Sequence, residues 1–485
     1  MKESRFRRPL EVALDRALSY LDGLDQMPVA SPVDLATVRR RLAKPLTDGG
    51  VSSEVVVADL AKDVEGAIIG SAGGRFFGWV IGGSLPAALA ADWLTSTWDQ
   101  NAALYACGPA AAIAEEVAGG WLKELLGLPV GASFALVTGT QMAHFTCLAA
   151  ARHAVLKSRG WDVETKGLYE APRIRVLCSD QRHDSVERAV RCLGLGQSQI
   201  VTLRTDGTNR VIPSALEETL SDVNSSPAIV VLQAGDICTG AFDDFQKLIP
   251  LAKRHDAWVH VDGAFGLWAA ASPEYRHLLR GIERADSWTA DGHKWLNVPF
   301  DCGYAFVADG RAHRGAMALL HRAAYLTHDE QARDQIDWNP EWSRRARGFP
   351  TYAAIRQLGR RGIADLIERC CEHANTLVRR VGELPGAGVL CPPVLNQALL
   401  RFLYSDDDAS EQDHDRRTDE VIAAVAATGE ALFTGTTCRG RRAMRVSICN
   451  WSTSAQDIDR AVKALAEVLK QLRAQDCSRS AVGKE

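Results

Sequence analysis

Lys294 stands in the run SWTADGHKWLNVPFDCGYAFV (residues 287–307), between His293 and Trp295 and with apolar residues to either side. An ammonium group is strongly hydrated, so a lysine in this setting has two uses. Its stem can lie along apolar surface while its head reaches water, or its amine can be desolvated and act as a nucleophile. Partners for the second use occur elsewhere in the chain. Asp262 closes the run AWVHVDG, with the small residues Gly263 and Ala264 behind it. His183 lies in SDQRHDSVERAV, just ahead of a helical pattern, and Gly139 and Thr140 lie in TGTQMAHF, where a β-rich run gives way to a helix. A strand-to-helix turn of that kind presents backbone N–H groups to an anion. Each residue also has a plain structural use: a helix-capping aspartate, a surface histidine, an ordinary turn. As a set they join a nucleophilic amine to a carboxylate and an anion site.

The elements that must position these residues are short apolar runs separated by helical stretches. SFALVTG, RIRVLCS, QIVTLR, AIVVLQ, AWVHVDG and GYAFVA read as strands covered on both faces, because they are continuous rather than alternating. SVERAVRCLG and DDFQKLIPLAKRH read as helices between them. The pattern predicts an α/β domain with a mostly parallel sheet, whose chemistry collects at the carboxyl ends of the strands. Beyond about residue 350 the order changes. A long helix beginning at Tyr352 precedes ALLRFLY, the helix RRTDEVIAAVAATGE, LFTGTT, AMRVSICN and a final helix from Ala455 to Leu472, which predicts a smaller α+β domain. At the other end, Leu10, Leu14, Leu18 and Leu21 form one stripe of a helix over residues 8–23. The organisation expected is an N-terminal helical arm (1–70) that packs on a partner, a large domain (71–350), a small domain (351–475) and a disordered tail (476–485).

With 485 residues, 46% hydrophobic and 24% charged, the chain has a globular composition and room for more than one domain. A net charge of −4 with both signs dispersed gives no electrostatic footprint for nucleic acid. The most apolar region, AIIGSAGGRFFGWVIGGSLPAALAADWL, is broken by Arg75, several glycines and Pro86, and is not expected to span a membrane. The twelve cysteines are scattered without zinc-ligand spacing, so no metal site is expected and reduced thiols in a cytoplasmic protein are.

One cofactor needs a lysine for a Schiff base, an acid for a pyridinium nitrogen and an anion site: pyridoxal 5′-phosphate. The segments HVDGAFG and DGHKWLNVPFDCG, with RFFGWVIGGSLPAALAADWL, TGTQMAHFTCLAAAR, SDQRHDSVERAV, SRRARGF and MRVSICN, resemble the group II pyridoxal-phosphate-dependent amino-acid decarboxylases. These are similar to the aromatic-L-amino-acid and glutamate decarboxylases. The resemblance covers about residues 70–455 and implies the aspartate aminotransferase-like fold (fold type I): a large domain with a mostly parallel seven-stranded sheet flanked by helices, and a smaller α+β domain. It also implies a homodimer and the following roles. Lys294 holds the cofactor, Asp262 keeps the ring nitrogen protonated, Ala264 packs on one ring face and His183 on the other. Gly139, Thr140 and Gln141 cradle the phosphate, with His293 and Asp291 beside them, although relatives often carry Asn at the place of Asp291. Arg445 pairs with the substrate carboxylate. Trp79 and Val80 line the side-chain pocket, and Gly82 and Gly83 after them make that pocket roomy, to suit an aromatic or other large amino acid.

Two departures stand out. Many relatives carry a loop tyrosine that returns a proton to Cα, whereas the interval from Tyr325 to Trp342 has no tyrosine in its second half. The expected reaction is therefore decarboxylation to the amine, with decarboxylation-dependent oxidative deamination to an aldehyde, or a catalytically silent binding subunit, as alternatives. Asp236 falls where aromatic decarboxylases have a threonine near the cofactor, so the resemblance counts it among the cofactor-binding residues, where it either selects the substrate or turns away.

Overall fold

The computed structural model describes residues 4–221, 226–318, 332–404 and 408–482, with backbone alone for 477–482. Seven strands form the central sheet: β1 (Ser133–Val137), β2 (Arg175–Ser179), β3 (Ile200–Leu203), β4 (Ala228–Gln233), β5 (Trp258–Asp262), β6 (Ser287–Asp291) and β7 (Gly303–Val307), in the order β1-β7-β6-β5-β4-β2-β3. Only β7 runs against its neighbours; β1 through β6 point the same way. Their carboxyl ends therefore share one edge, as the α/β pattern requires. Six of these strands are the apolar runs of the sequence. The seventh, β6, is Ser-Trp-Thr-Ala-Asp, whose polar residues conceal it, yet every residue in it is buried.

Both faces of the sheet are covered, and side chains alternate between them. Val230, Leu232, Val259, Val261 and Trp288 join the core on one face, while Ile229, Val231, Val176 and Val137 pack on the other beneath the helix Thr140–Lys157. The parity matters in β5, because His260 and Asp262 share a face opposite to Val259 and Val261. Three arginines of SRRARGF staple distant segments: Arg344 forks onto Glu115 at 2.9 and 3.0 Å, Arg345 reaches Asp92 and Arg347 reaches Asp301.

The second sheet is antiparallel, with β8 (Ala387–Val394), β9 (Gln397–Phe402), β10 (Thr434–Cys438) and β11 (Arg441–Ser447) in the order β10-β11-β9-β8. The long helix before it, Gly348–Gly382, is broken at Gly359, whose φ of 60° suits glycine. The final helix runs from Ala455 to Val482, so residues 476–482, expected to be a disordered tail, continue it. The N-terminal helix, Arg7–Gly23, buries none of its residues, and Leu10, Leu14 and Leu18 stay exposed. Among the described residues no helix is long and apolar enough to cross a membrane.

Candidate active site

The shared edge of the sheet opens on a cavity of about 570 Å³, with Lys294, Asp262, His183 and Arg445 in its lining. Lys294 follows β6 by three residues. Its ammonium lies 5.8 Å from the centre of the Phe265 ring, and it has no hydrogen bond or ion pair among the described residues. The strap carrying Trp79 and Val80 holds its backbone in place: the Gly82 N–H donates to the His293 carbonyl (2.9 Å) and the Gly83 N–H to Asn297 Oδ1 (2.6 Å).

Asp262 ends β5 at the floor of the cavity and accepts the Ala264 N–H at 3.2 Å. Burial would raise its carboxyl, but His144, followed by His183 and Lys294, outweighs that and holds it well below the usual carboxylate range. His144 comes from the first turn and a half of the helix Thr140–Lys157, with Nε2 3.5 Å from Asp262 Oδ2. Its Nδ1 meets His260 Nε2 at 2.9 Å, and His260 Nδ1 meets Ser287 Oγ at 2.9 Å. The Trp258 indole N–H completes the row by donating to Ser287 Oγ at 3.0 Å.

His183 caps the helix Asp184–Cys192, its Nδ1 accepting the Ser185 N–H and meeting Ser185 Oγ at 2.7 Å. Burial, then Lys294 and His144, push its pKa below the usual histidine value against the pull of Asp262. Gly139, Thr140 and Gln141 open the helix Thr140–Lys157 and line the cavity. A Cβ on Gly139 would meet no atom within 4 Å, so the space in front of this turn is free for a ligand.

Asp291 is engaged with protein on both oxygens. Oδ2 accepts the Thr140 N–H (3.1 Å) and hydroxyl (2.5 Å), and Oδ1 lies 2.6 Å from His293 Nδ1. Burial would raise its carboxyl, yet His293, Lys294 and Thr140 hold it below the usual range. The Phe300 ring lies over His293 at 4.0 Å between centroids. Ala264 and Val80 are buried in the cavity wall, and Trp79 is half exposed at its mouth. Arg445, in β11, reaches the cavity from the small domain. It is almost fully buried, its Nε has no partner, and no carboxylate pairs with its guanidinium among the described residues.

Two expectations change. Asp236 does not line the cavity. Its Oδ1 accepts from Asn209, the Cys238 and Thr239 backbones and the Thr239 hydroxyl, so it caps the turn after β4. An aspartate followed three residues later by threonine is the local signal for that use. Gly82 does not enlarge the pocket either, because a Cβ there would stand 2.1 Å from the Lys294 carbonyl oxygen. The sequence reading passed over His144, His260, Phe265 and Phe300. His144 and His260 lie 116 positions apart, and only the packing of the helix on β5 brings them together. Of the interval from Tyr325 to Trp342, residues 325–331 lie outside the described residues.

An unpaired amine, a buried carboxylate held ionised, a helix N-terminus facing free space and an unpaired guanidinium around one cavity can hold an anionic, carbonyl-bearing, nitrogen-ring ligand together with a carboxylate substrate. Residues 39–391 match the pyridoxal-dependent decarboxylase conserved domain. The chain is 27% identical over 465 residues to an aromatic-L-amino-acid decarboxylase of Bacillus atrophaeus, covering 94% of each chain. It is 26% identical to a 4-hydroxyphenylacetaldehyde synthase of Rhodiola rosea, with 88% of this chain and 87% of that one aligned. The structure of an Oryza sativa TDC with PLP and tryptamine superposes with a TM-score of 0.89 at 24% identity, covering 96% of this chain and 98% of that one.

Proposed function

The chain belongs to the pyridoxal-dependent decarboxylase family, and on that premise we propose that it removes carbon dioxide from a large, aromatic L-amino acid and releases the amine. Pyridoxal-phosphate-dependent amino-acid decarboxylation is the family's chemistry; the substrate class and the residue roles are our reading. When bound, pyridoxal 5′-phosphate supplies an aldehyde for an amine and a protonated ring that takes up the electron pair left as the Cα–carboxylate bond breaks.

The residues present fit that group. Lys294 offers an amine with no protein partner, which leaves it free to hold the aldehyde. Asp262, ionised at the floor of the cavity, would accept a ring N–H and keep the proton on the nitrogen. The N-terminus of the helix at Thr140 suits a phosphate, and Asp291 fixes that turn by holding Thr140 and His293. His183 would cover the open ring face, opposite Ala264. Arg445 would take the substrate carboxylate, since its buried guanidinium lacks any other. Trp79, Val80, Ile81, Phe265 and Phe300 give the cavity an apolar wall, which supports a large side chain. The bare leucine stripe of the N-terminal helix supports a homodimer, and the free thiols of the described cysteines support a cytoplasmic protein.

The observation that carries the proposal is the unpaired Lys294 amine and the ionised Asp262 in one cavity. A panel of amino acids scored for carbon dioxide, amine, aldehyde and peroxide tests it. Amine and carbon dioxide without peroxide, with aromatic substrates fastest, are expected; no carbon dioxide from any substrate overturns the proposal. The second reading, oxidation to an aldehyde, draws on the absence of tyrosine from 326–342 and on the aldehyde-synthase relative. Aldehyde and peroxide in equal amounts would establish it instead.

A further inference from the structure

Gln233 is the last residue of β4 and stands level with Asp262, the last residue of β5, in the parallel register of the two strands. Both side chains therefore leave the same face of the sheet, and both line the cavity. The backbone of Gln233 is fixed: its N–H donates to Asp243 Oδ2 at 2.7 Å, and its carbonyl accepts the Asp243 N–H at 3.1 Å. The residue is only 5% exposed, yet its amide is almost unused. Nε2 donates to the Gln181 carbonyl at 3.4 Å, and Oε1 has no partner among the described residues. Turning the amide over would set two carbonyl oxygens against each other, so Gln181 decides which end is the nitrogen. One N–H and the Oε1 lone pairs are left over, whereas buried polar groups are ordinarily hydrogen-bonded. The lining residues nearby offer no substitute. Gly235 and Ile237 bring no polar side chain, Ser185 is held by His183 and Arg182 by Glu187.

The order of the strands says which part of a cofactor this amide would meet. β6, β5 and β4 are consecutive in the sheet. The turn at Thr140 is tied to Asp291 at the end of β6, so it lies to one side of Asp262 and Gln233 lies to the other. In pyridoxal phosphate the phosphate arm and the 3-hydroxyl leave the ring on either side of the line from the nitrogen to the aldehyde carbon. With the nitrogen at Asp262 and the phosphate toward β6, the edge turned toward β4 carries the 3-hydroxyl.

We infer that Gln233 is a further cofactor-binding residue, whose side-chain amide hydrogen-bonds the 3-oxygen of the pyridoxal ring. This rests on the proposed roles of Asp262 and the Thr140 turn. The amide serves that oxygen in either protonation state, donating its second N–H to a phenolate or accepting from a hydroxyl at Oε1. Its bond to Gln181 also ties it to the loop that carries His183 two residues further on.

The test compares pyridoxal 5′-phosphate with its 3-deoxy analogue, which lacks that oxygen and keeps the aldehyde, the ring nitrogen and the phosphate. Dissociation constants for both come from equilibrium dialysis of full-length protein freed of cofactor. Wild type should bind the analogue more weakly. In Gln233→Leu that penalty should shrink about three- to tenfold, the worth of one neutral hydrogen bond. Comparing two ligands on one protein cancels any general damage from the substitution, because that damage weakens both alike. Equal penalties in wild type and Gln233→Leu overturn the inference alone, as does a wild type that binds the analogue as tightly as pyridoxal phosphate. Should Gln233→Leu fail to fold, Gln233→Met, which keeps an unbranched stem, is read in its place. A wild-type protein that binds neither ligand overturns the proposed function as well.

Discussion

Gly82→Ala gives the sharpest test of how the lysine is held. The added Cβ would stand 2.1 Å from the Lys294 carbonyl oxygen, 2.8 Å from that of His293 and 2.9 Å from Asn297 Oδ1. None is the end of a long flexible side chain. Reaching ordinary contact requires a retreat of about 1 Å by one of the two segments. That overpacking costs about 1–3 kcal/mol. Loss of the Gly82 hydrogen bond to His293 adds about 1 kcal/mol, for a total of about 2–4 kcal/mol. A 1 Å displacement of a reacting group can lower turnover on the order of a hundredfold, and the segment that must yield is the one carrying Lys294. Urea unfolding reads the first effect and initial rates at saturating substrate the second. Gly120→Ala is the control: it lies exposed on the helix Pro109–Leu125 with nothing within 4 Å, and should gain about 0.5–1 kcal/mol. A Gly82→Ala protein within about 0.5 kcal/mol of wild type and about twofold in kcat would refute the account.

Lys294→Ala should carry no cofactor after borohydride treatment, whereas intact mass should show one reduced cofactor on each wild-type chain; a labelled variant would place the attachment elsewhere. Arg445→Met should raise KM about ten- to a hundredfold by removing the partner of the substrate carboxylate, without lowering stability, because the guanidinium it removes is buried and unpaired. An unchanged KM would remove Arg445 from the site. His313 is fully buried between Ser133 Oγ and the Trp338 carbonyl, and burial pushes its pKa down to about 3. Its folded value lies below its unfolded one, so its contribution is complete above about pH 6.5 and is lost as the pH falls toward 3, by about 3–5 kcal/mol. Urea midpoints across that range should fall less steeply in His313→Gln, and an identical slope would contradict the assignment.

Periodicity and composition were enough for the α/β class, because strands buried on both faces must be continuous apolar runs. The motifs around Lys294, Asp262, His183 and Gly139 were legible as well, since each sits where a strand end or helix start leaves polar groups to aim at a ligand. β6 escaped because its polar residues are buried by their neighbours and not by their own hydrophobicity. Asp236 was misplaced because position in a motif says nothing of where a carboxylate points, and a local turn claimed it. Gly82 looked like room and proved to be contact, because a missing side chain serves either purpose until the opposing backbone is known. The row from Trp258 to Asp262 shows the limit most clearly. The chain carries His144 and His260 as two unremarked histidines, and only the packing of one helix on one strand turns them into hydrogen-bonded neighbours. Residue types and spacing therefore specified which groups could do chemistry. The tertiary structure decided which of them are paired and which are free, because those properties belong to contacts between residues far apart in the chain.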